Sequence, residues 1–207
     1  MTGIAVYMEG GGQTGEPNTA DAKAAVRQGM GEFLRSLRDR ARTKRWHWKI
    51  VACGDRASTK SAFLNARAQE PDTFAILLVD AEAAVKSPPR AHLKARDNWD
   101  LGGVPEEHVH LMAQIMETWF VADPENVKAY YGKDFNEGAL PKHAQLESVS
   151  KSEIATGLEK ATQNTKKGRY HKIKHGSDLL ARVSPDTVKP KCPHCKRLFD
   201  SVEVVLA

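Results

Sequence analysis

No apolar stretch in this 207-residue sequence approaches the roughly 20 residues that a membrane-spanning helix needs. The beginning, MTGIAVYMEGGG, has neither a basic segment nor a long apolar core, so it does not read as a secretory signal. Cysteine is scarce. Of the three, Cys53 lies far from Cys192 and Cys195, which excludes a disulfide framework and points to a reducing, cytoplasmic setting. Internal repeats and low-complexity tracts are missing. No Gly-Lys-Ser/Thr follows the early glycines, so a P-loop is disfavoured. What remains is an expected soluble chain, long enough for one generous domain or a compact domain plus an extension.

Acidic residues are also missing from one region. Between Lys166 and Arg197 there are ten Lys/Arg against two acids, Asp178 and Asp186, a local charge of +8, whereas the whole chain carries +5. A second basic cluster, Arg35 to Lys49, has seven Lys/Arg against Asp39 alone. Basic patches on an otherwise slightly acidic body suggest a polyanion partner, weighed against the plainer reading of solvated helix faces.

The strongest structural signal is FAILLVDAE, Phe74 to Glu82. Six apolar residues in a row, preceded by Pro71-Asp72, read as a strand buried on both faces, as in a parallel sheet flanked by helices. The run stops on Asp80-Ala81-Glu82. Residues two apart in a strand point the same way, so both carboxylates are expected side by side at its carboxyl end. That is where open α/β sheets bind ligands. Paired acids there repel unless a cation lies between them, and their hard oxygens suit Mg2+ or Mn2+.

Ile4 to Met8 reads as a second buried strand, with Glu9 at its carboxyl end and a Gly10 to Gly15 run that matches G-x-G-x-x-G. Glu16-Pro17-Asn18 interrupts before a helix can open, so a dinucleotide site is disfavoured. A helix is expected from a Thr19 cap, burying Ala22, Val26, Phe33 and Leu37. Trp46 to Cys53 reads as a strand, and Ser58 to Gln69 as a Ser58-capped helix that includes Lys60. A long polar connection follows Glu82. Val109 to Met112 reads as a further strand, with His108 and His110 at its surface. Gln114 to Ala122 is an apolar helical segment in which Glu117 is a buried acid needing a metal or a basic partner. Asp123-Pro124 starts another helix, and Ser150-Lys151-Ser152-Glu153 is a capping box. The expected organisation is an α/β core over 1–122 and a mainly helical, basic extension over 123–207 packed on it.

Cys192-Pro193-His194-Cys195 supplies half of a zinc ligand set, and His171 and His175 follow i, i+4 spacing. The order is inverted relative to familiar fingers, and Pro190 and Pro193 favour a helix start, so zinc is disfavoured.

Glu9-Gly10 after one strand and Asp80-x-Glu82 after another resemble the Toprim domain of topoisomerases, primases and OLD-type nucleases. More closely, the chain is similar to a bacterial Toprim-like family of unassigned function, related to OLD/RloB-type nucleases. The marks are Met8-Glu9-Gly10, Cys53-Gly54-x-Arg56, Val79-Asp80, Met116-Glu117-x-Trp119-Phe120-x-Ala122-Asp123 and Lys174-His175-Gly176. Glu82 departs from the Asp usual at that position.

The resemblance implies a mostly parallel, Rossmann-like sheet and Mg2+-dependent phosphodiester cleavage. Asp80 and Glu82 would hold the ion, and Glu9 would complete its site or act as acid/base, with Glu117 serving a second ion. Lys174, His175 or Arg56 would meet the phosphate. Nucleic acid, DNA or RNA, is expected along Arg56, Lys60, Lys166, Lys167, Arg169, Lys172 and Lys174. The resemblance also implies an ATPase partner and a role in phage defence, and leaves oligomeric state open. The competing expectations are a non-catalytic nucleic-acid-binding subunit and a phosphatase for a small phosphorylated molecule.

Overall fold

The computed structural model describes residues 2–11 and 19–207, with the side chain of Thr19 left aside. The expected Thr19 cap, the Glu16-Pro17-Asn18 interruption and most of the glycine run therefore lie outside the described residues. Four strands form one sheet: β1 (Gly3–Glu9), β2 (His47–Gly54), β3 (Thr73–Asp80) and β4 (Val109–Met112). Their order is β2-β1-β3-β4 and every pairing is parallel. β1 and β3 occupy the middle, which explains why both read as continuous apolar runs: each face is covered.

Alternation along the central strands divides the core in two. Ile4, Val6 and Met8 of β1 face the same way as Phe74, Ile76 and Leu78 of β3. That face is covered by α1 (Thr19–Phe33), α2 (Arg35–Thr43) and the carboxyl-terminal helices. Ala5, Tyr7, Ala75, Leu77 and Val79 face the other way, against α3 (Arg56–Gln69) and α4 (Pro89–Asp97). Beyond β4 the chain forms α5 (Glu117–Ala122), α6 (Pro124–Tyr131), α7 (Lys151–Thr162), α8 (Lys172–Leu180), α9 (Pro185–Val188) and α10 (Pro193–Val205). Phe33 of α1 stacks on Trp119 of α5 at 4.8 Å and meets Phe199 of α10 edge-on at 5.8 Å. Residues of the helical extension and of the sheet thus share one apolar cluster.

Several local expectations change. The expected single helix after Thr19 divides at Leu34. Asp55, not Ser58, caps α3: it stands just before the first helical residue, and its carboxylate accepts the Ser58 N–H at 2.8 Å, whereas Ser58 lies inside the first turn. The connection after Glu82 contains α4, started by Pro89 at a position where proline loses no hydrogen bond. His110 of β4 and His108 just before it are not plain surface groups. His110 is fully enclosed, and His108 is half-buried against the Phe74 ring with its Nδ1 on the Ala75 carbonyl. The Asp123 and Ser150 caps form as the sequence suggests. No helix among the described residues is long and apolar enough to cross a membrane.

From β1 the chain passes to β2 on one side, and β3 returns on the other. The carboxyl ends of β1 and β3 therefore flank the topological switch point, where a crevice opens in sheets of this kind. Glu9 and Asp80 are the last residues of those two strands.

Candidate functional site

Parallel pairing of β1 with β3 brings Glu9 and Asp80 into direct contact: the Asp80 N–H donates to Glu9 Oε2 at 3.0 Å. Arg56 comes from the neighbouring strand end. Gly54 closes β2 with a φ of +93° and bridges Gly10, and this turn starts α3 with Arg56 as its first residue. The guanidinium donates to both Glu9 oxygens at 3.3 and 3.2 Å and to the Asp80 carbonyl at 2.6 Å. Its other edge is gripped by Asp97 of α4, at 3.2 and 2.7 Å.

Asp80 is almost fully buried. Its Oδ1 accepts the Met116 N–H at 2.8 Å, and its Oδ2 accepts from the Lys172 ammonium at 3.1 Å. Glu117, the first residue of α5, approaches from the side: Tyr170 donates its hydroxyl to Oε1 at 2.9 Å. Glu117 Oε2 is buried without a hydrogen-bond partner and lies 3.8 Å from the same Lys172 ammonium. Lys172, the first residue of α8, thus carries a positive charge between two carboxylates while its stem stays half-exposed.

Burial sets the titration of the group. Removal from water, reinforced by Glu117 and Glu9 and opposed by Lys172, pushes Asp80 up to about 6. Glu9 is likewise raised by burial, with Arg56 pulling the other way. Burial alone would lower Lys172, but Asp80 and Glu117 outweigh it and hold the ammonium charged well beyond its ordinary range. Tyr170 is raised by burial and by Glu117, so it stays a hydrogen-bond donor.

Other expected site residues are placed differently. Strand alternation does not reach Glu82, because β3 ends at Asp80 and Glu82 has a left-handed φ of +63°. Its carboxylate pairs with Lys151 at 2.6 Å; burial would raise its pKa, but Lys151 prevails and holds it below the usual value. Glu82 still borders the same cavity. His175 points into the protein, 2 % exposed, among the rings of Tyr130, Tyr131 and Tyr170, with Nδ1 accepting the His171 N–H. Lys174 is exposed and does not line the cavity.

Lys60 lies over the Trp99 ring, Lys167 over Tyr130, and Arg169 pairs with Glu159; Lys166 is exposed. Of the expected basic contacts, Arg56 and Lys172 are the two that line the crevice. Cys192 and Cys195 are buried thiols with raised pKa, and His194 is taken by Glu147 at 2.6 Å. A helix, α10, starts there, as the prolines suggest.

Sequence reasoning missed Asp97, Tyr170, Lys151 and the apolar wall. Asp97 is 41 positions from Arg56, and Tyr170 is 53 from Glu117, with no local pattern linking either pair. The cavity, about 630 Å3, is bounded on one side by the charged strand ends and on the other by Val26, Met116, Ile173 and Leu180.

The family described as Domain of unknown function (DUF4276) matches residues 19–203. The chain belongs to this family. Comparison with curated proteins and with solved structures gives no match. The DUF4276 span contains Arg56, Asp80, Glu117 and Lys172, and Glu9 precedes it.

Whether this DUF4276 site suits a divalent ion can be judged from its donors. Among the described residues no three His, Cys, Asp or Glu side chains are arranged to share one ion. Yet the donor set is all carboxylate, a cation already lies between Asp80 and Glu117, and Glu117 Oε2 is without a hydrogen-bond partner. These oxygens are of the hard type that would suit such a cation, on condition that Lys172 left its place between them.

Proposed function

We propose that this protein is an Mg2+- or Mn2+-dependent nuclease of Toprim type, hydrolysing phosphodiesters in the crevice at the ends of β1 and β3. The observation that carries the reading is the convergence of Glu9 and Asp80 on adjacent strand ends, with Lys172 held between Asp80 and Glu117. Asp80 and Glu117 would hold the ion, which when bound neutralises charge on the phosphodiester. Arg56, locked by Asp97, keeps Glu9 fixed in place. Glu9, raised by burial, is suited to take a proton from the attacking water. A bond from that water oxygen to phosphorus forms, one ester bond breaks, and the leaving hydroxyl takes up a proton. Lys172, displaced from the acids, meets the phosphate charge. Roles for an ATPase partner and for phage defence rest on the family resemblance alone.

A second reading is favoured by a specific observation. Arg56 and Lys172 already answer the carboxylate charges, as in a nucleic-acid-binding subunit whose acids serve only the fold. The two readings part in one experiment. Purified protein is incubated with plasmid, single-stranded DNA and tRNA, with Mg2+, Mn2+ or chelator. Cleavage that needs metal, and that falls by about 100-fold or more in Asp80→Asn and Glu9→Gln while gel-shift binding persists, is the expected result. Binding without cleavage on every substrate supports the non-catalytic subunit. Hydrolysis of a generic phosphomonoester with neither binding nor cutting of nucleic acid supports a phosphatase.

A further inference from the structure

The crevice has two unlike walls. One carries the charges of Glu9, Arg56, Asp80 and Lys172; the facing one, from α1, the segment before α5, and α8, is aliphatic. Its rim residue Ile173 is 63 % exposed and is one of two large aliphatic side chains, with Val204, left so open among the described residues. Ile173 shares the cavity with Val26 and Met116, so a ligand with an apolar face would remove this aliphatic surface from water. Such a ligand needs a phosphate at one end and a flat, weakly hydrated body at the other.

Size narrows the class further. About 630 Å3 lies in the range of pockets for one small ligand, roughly 300–1,000 Å3, and leaves no room for stacked base pairs. On the aliphatic side Ser177 is the polar side chain, too little to read a base edge by paired hydrogen bonds. We infer that the cavity receives one unstacked nucleotide of a single strand. Its phosphate lies at Lys172 and its base against Val26, Met116 and Ile173, without base preference. This rests on the nuclease reading and adds its substrate class: single strands, frayed ends or flipped-out nucleotides, not continuous duplex. Every base has an apolar face, so contact of this kind is tolerant of sequence.

The test separates this inference from the nuclease reading itself. Fluorescence anisotropy is measured with a 5′-labelled 12-mer single strand and with the same strand in a blunt duplex, in chelator, for wild type, Ile173→Asp and Ile173→Leu. The single strand is expected to bind at least tenfold more tightly than the duplex. Ile173→Asp, at an exposed position that leaves folding intact, is expected to weaken single-strand binding about tenfold, the loss of one partly buried aliphatic contact plus charge repulsion. Ile173→Leu is expected to keep wild-type affinity, and duplex binding is expected to be unmoved by either change. Equal affinity for both forms, or an Ile173→Asp protein that binds single strands normally, overturns the inference. If duplex is also cut as fast as single strand with metal, the nuclease reading stands while the single-nucleotide reading fails. If no nucleic acid is bound or cut, both fail.

Discussion

The imidazole of His110 is enclosed on all sides, and its two nitrogens have fixed and opposite duties. Arg197 donates to Nδ1 at 3.1 Å, so Nδ1 must accept, and Nε2 donates to the Glu107 carbonyl at 2.8 Å. A second proton would meet the guanidinium head-on. Burial first, then Arg197, lowers this histidine to about 3. The sign follows from linkage. The unfolded chain binds a proton near pH 6.5 that the folded chain refuses, so this stability is present above 6.5 and is lost as pH falls toward 3. Between pH 7 and pH 5 the loss is about 2 kcal/mol. Urea titrations at both pH values should find that His110→Gln, weaker at pH 7, loses about 2 kcal/mol less than wild type on acidification. Equal losses would assign the acid sensitivity to other groups. None of this was legible in the sequence, where His108 and His110 read as exposed because a four-residue strand gives too little pattern to reveal cover by α10.

Among the helices, α1 and α8 pack with little space between their backbones. A Cβ added at Gly29 would lie 2.5 Å from the Ser177 carbonyl oxygen, backbone against backbone. Gly29→Ala must therefore push apart the two helices that carry Val26 and Ile173. A cost of about 1–3 kcal/mol is expected from such overpacking, a fall in Tm of roughly 2–4 °C per kcal/mol for a chain of this size, read by thermal unfolding. A Tm equal to wild type would mean that the helices separate freely.

Strands were the most readable elements. Ile4 to Met8 and Phe74 to Val79 are continuous apolar runs because both sheet faces are covered, and their terminal acids mark the switch point. The site was legible as far as Glu9, Asp80, Glu117, Arg56 and Lys172. Glu82 was misplaced because the rule of alternation ends where the strand does. Lys174 and His175 were misplaced because α8 turns them away, a matter of helix phase that depends on packing against Tyr130 and Tyr131. Asp97 and Tyr170 act across long separations that only the assembled fold creates.

At the scale of the whole molecule, one apolar cluster runs from Ile4 to Leu206. The expected division at residue 122 falls beside Trp119 and Phe120 of α5, both fully buried, and α5 packs against α7, α8 and α9, which come later in the chain. A fragment of residues 1–122 would expose that face of the sheet, and is expected to give no dispersed amide NMR spectrum and to aggregate. The intact chain is expected to unfold in a single cooperative step, followed by circular dichroism in urea. A folded 1–122 fragment would mean that the sheet needs only its own helices.

The pairing of Asp80 with Lys172 spans 92 positions, and Tyr170 reaches back 53 to Glu117. On the ribosome, Glu9 and Asp80 emerge long before the lysine and tyrosine that settle their neighbours. Until the last third of the chain has docked, Glu117 lacks the hydroxyl that orients it and Asp80 lacks its counter-charge. The charged crevice is therefore assembled last: nascent chains and prematurely terminated ones carry Glu9, Asp80 and Glu117 without the lysine and tyrosine that hold them in place.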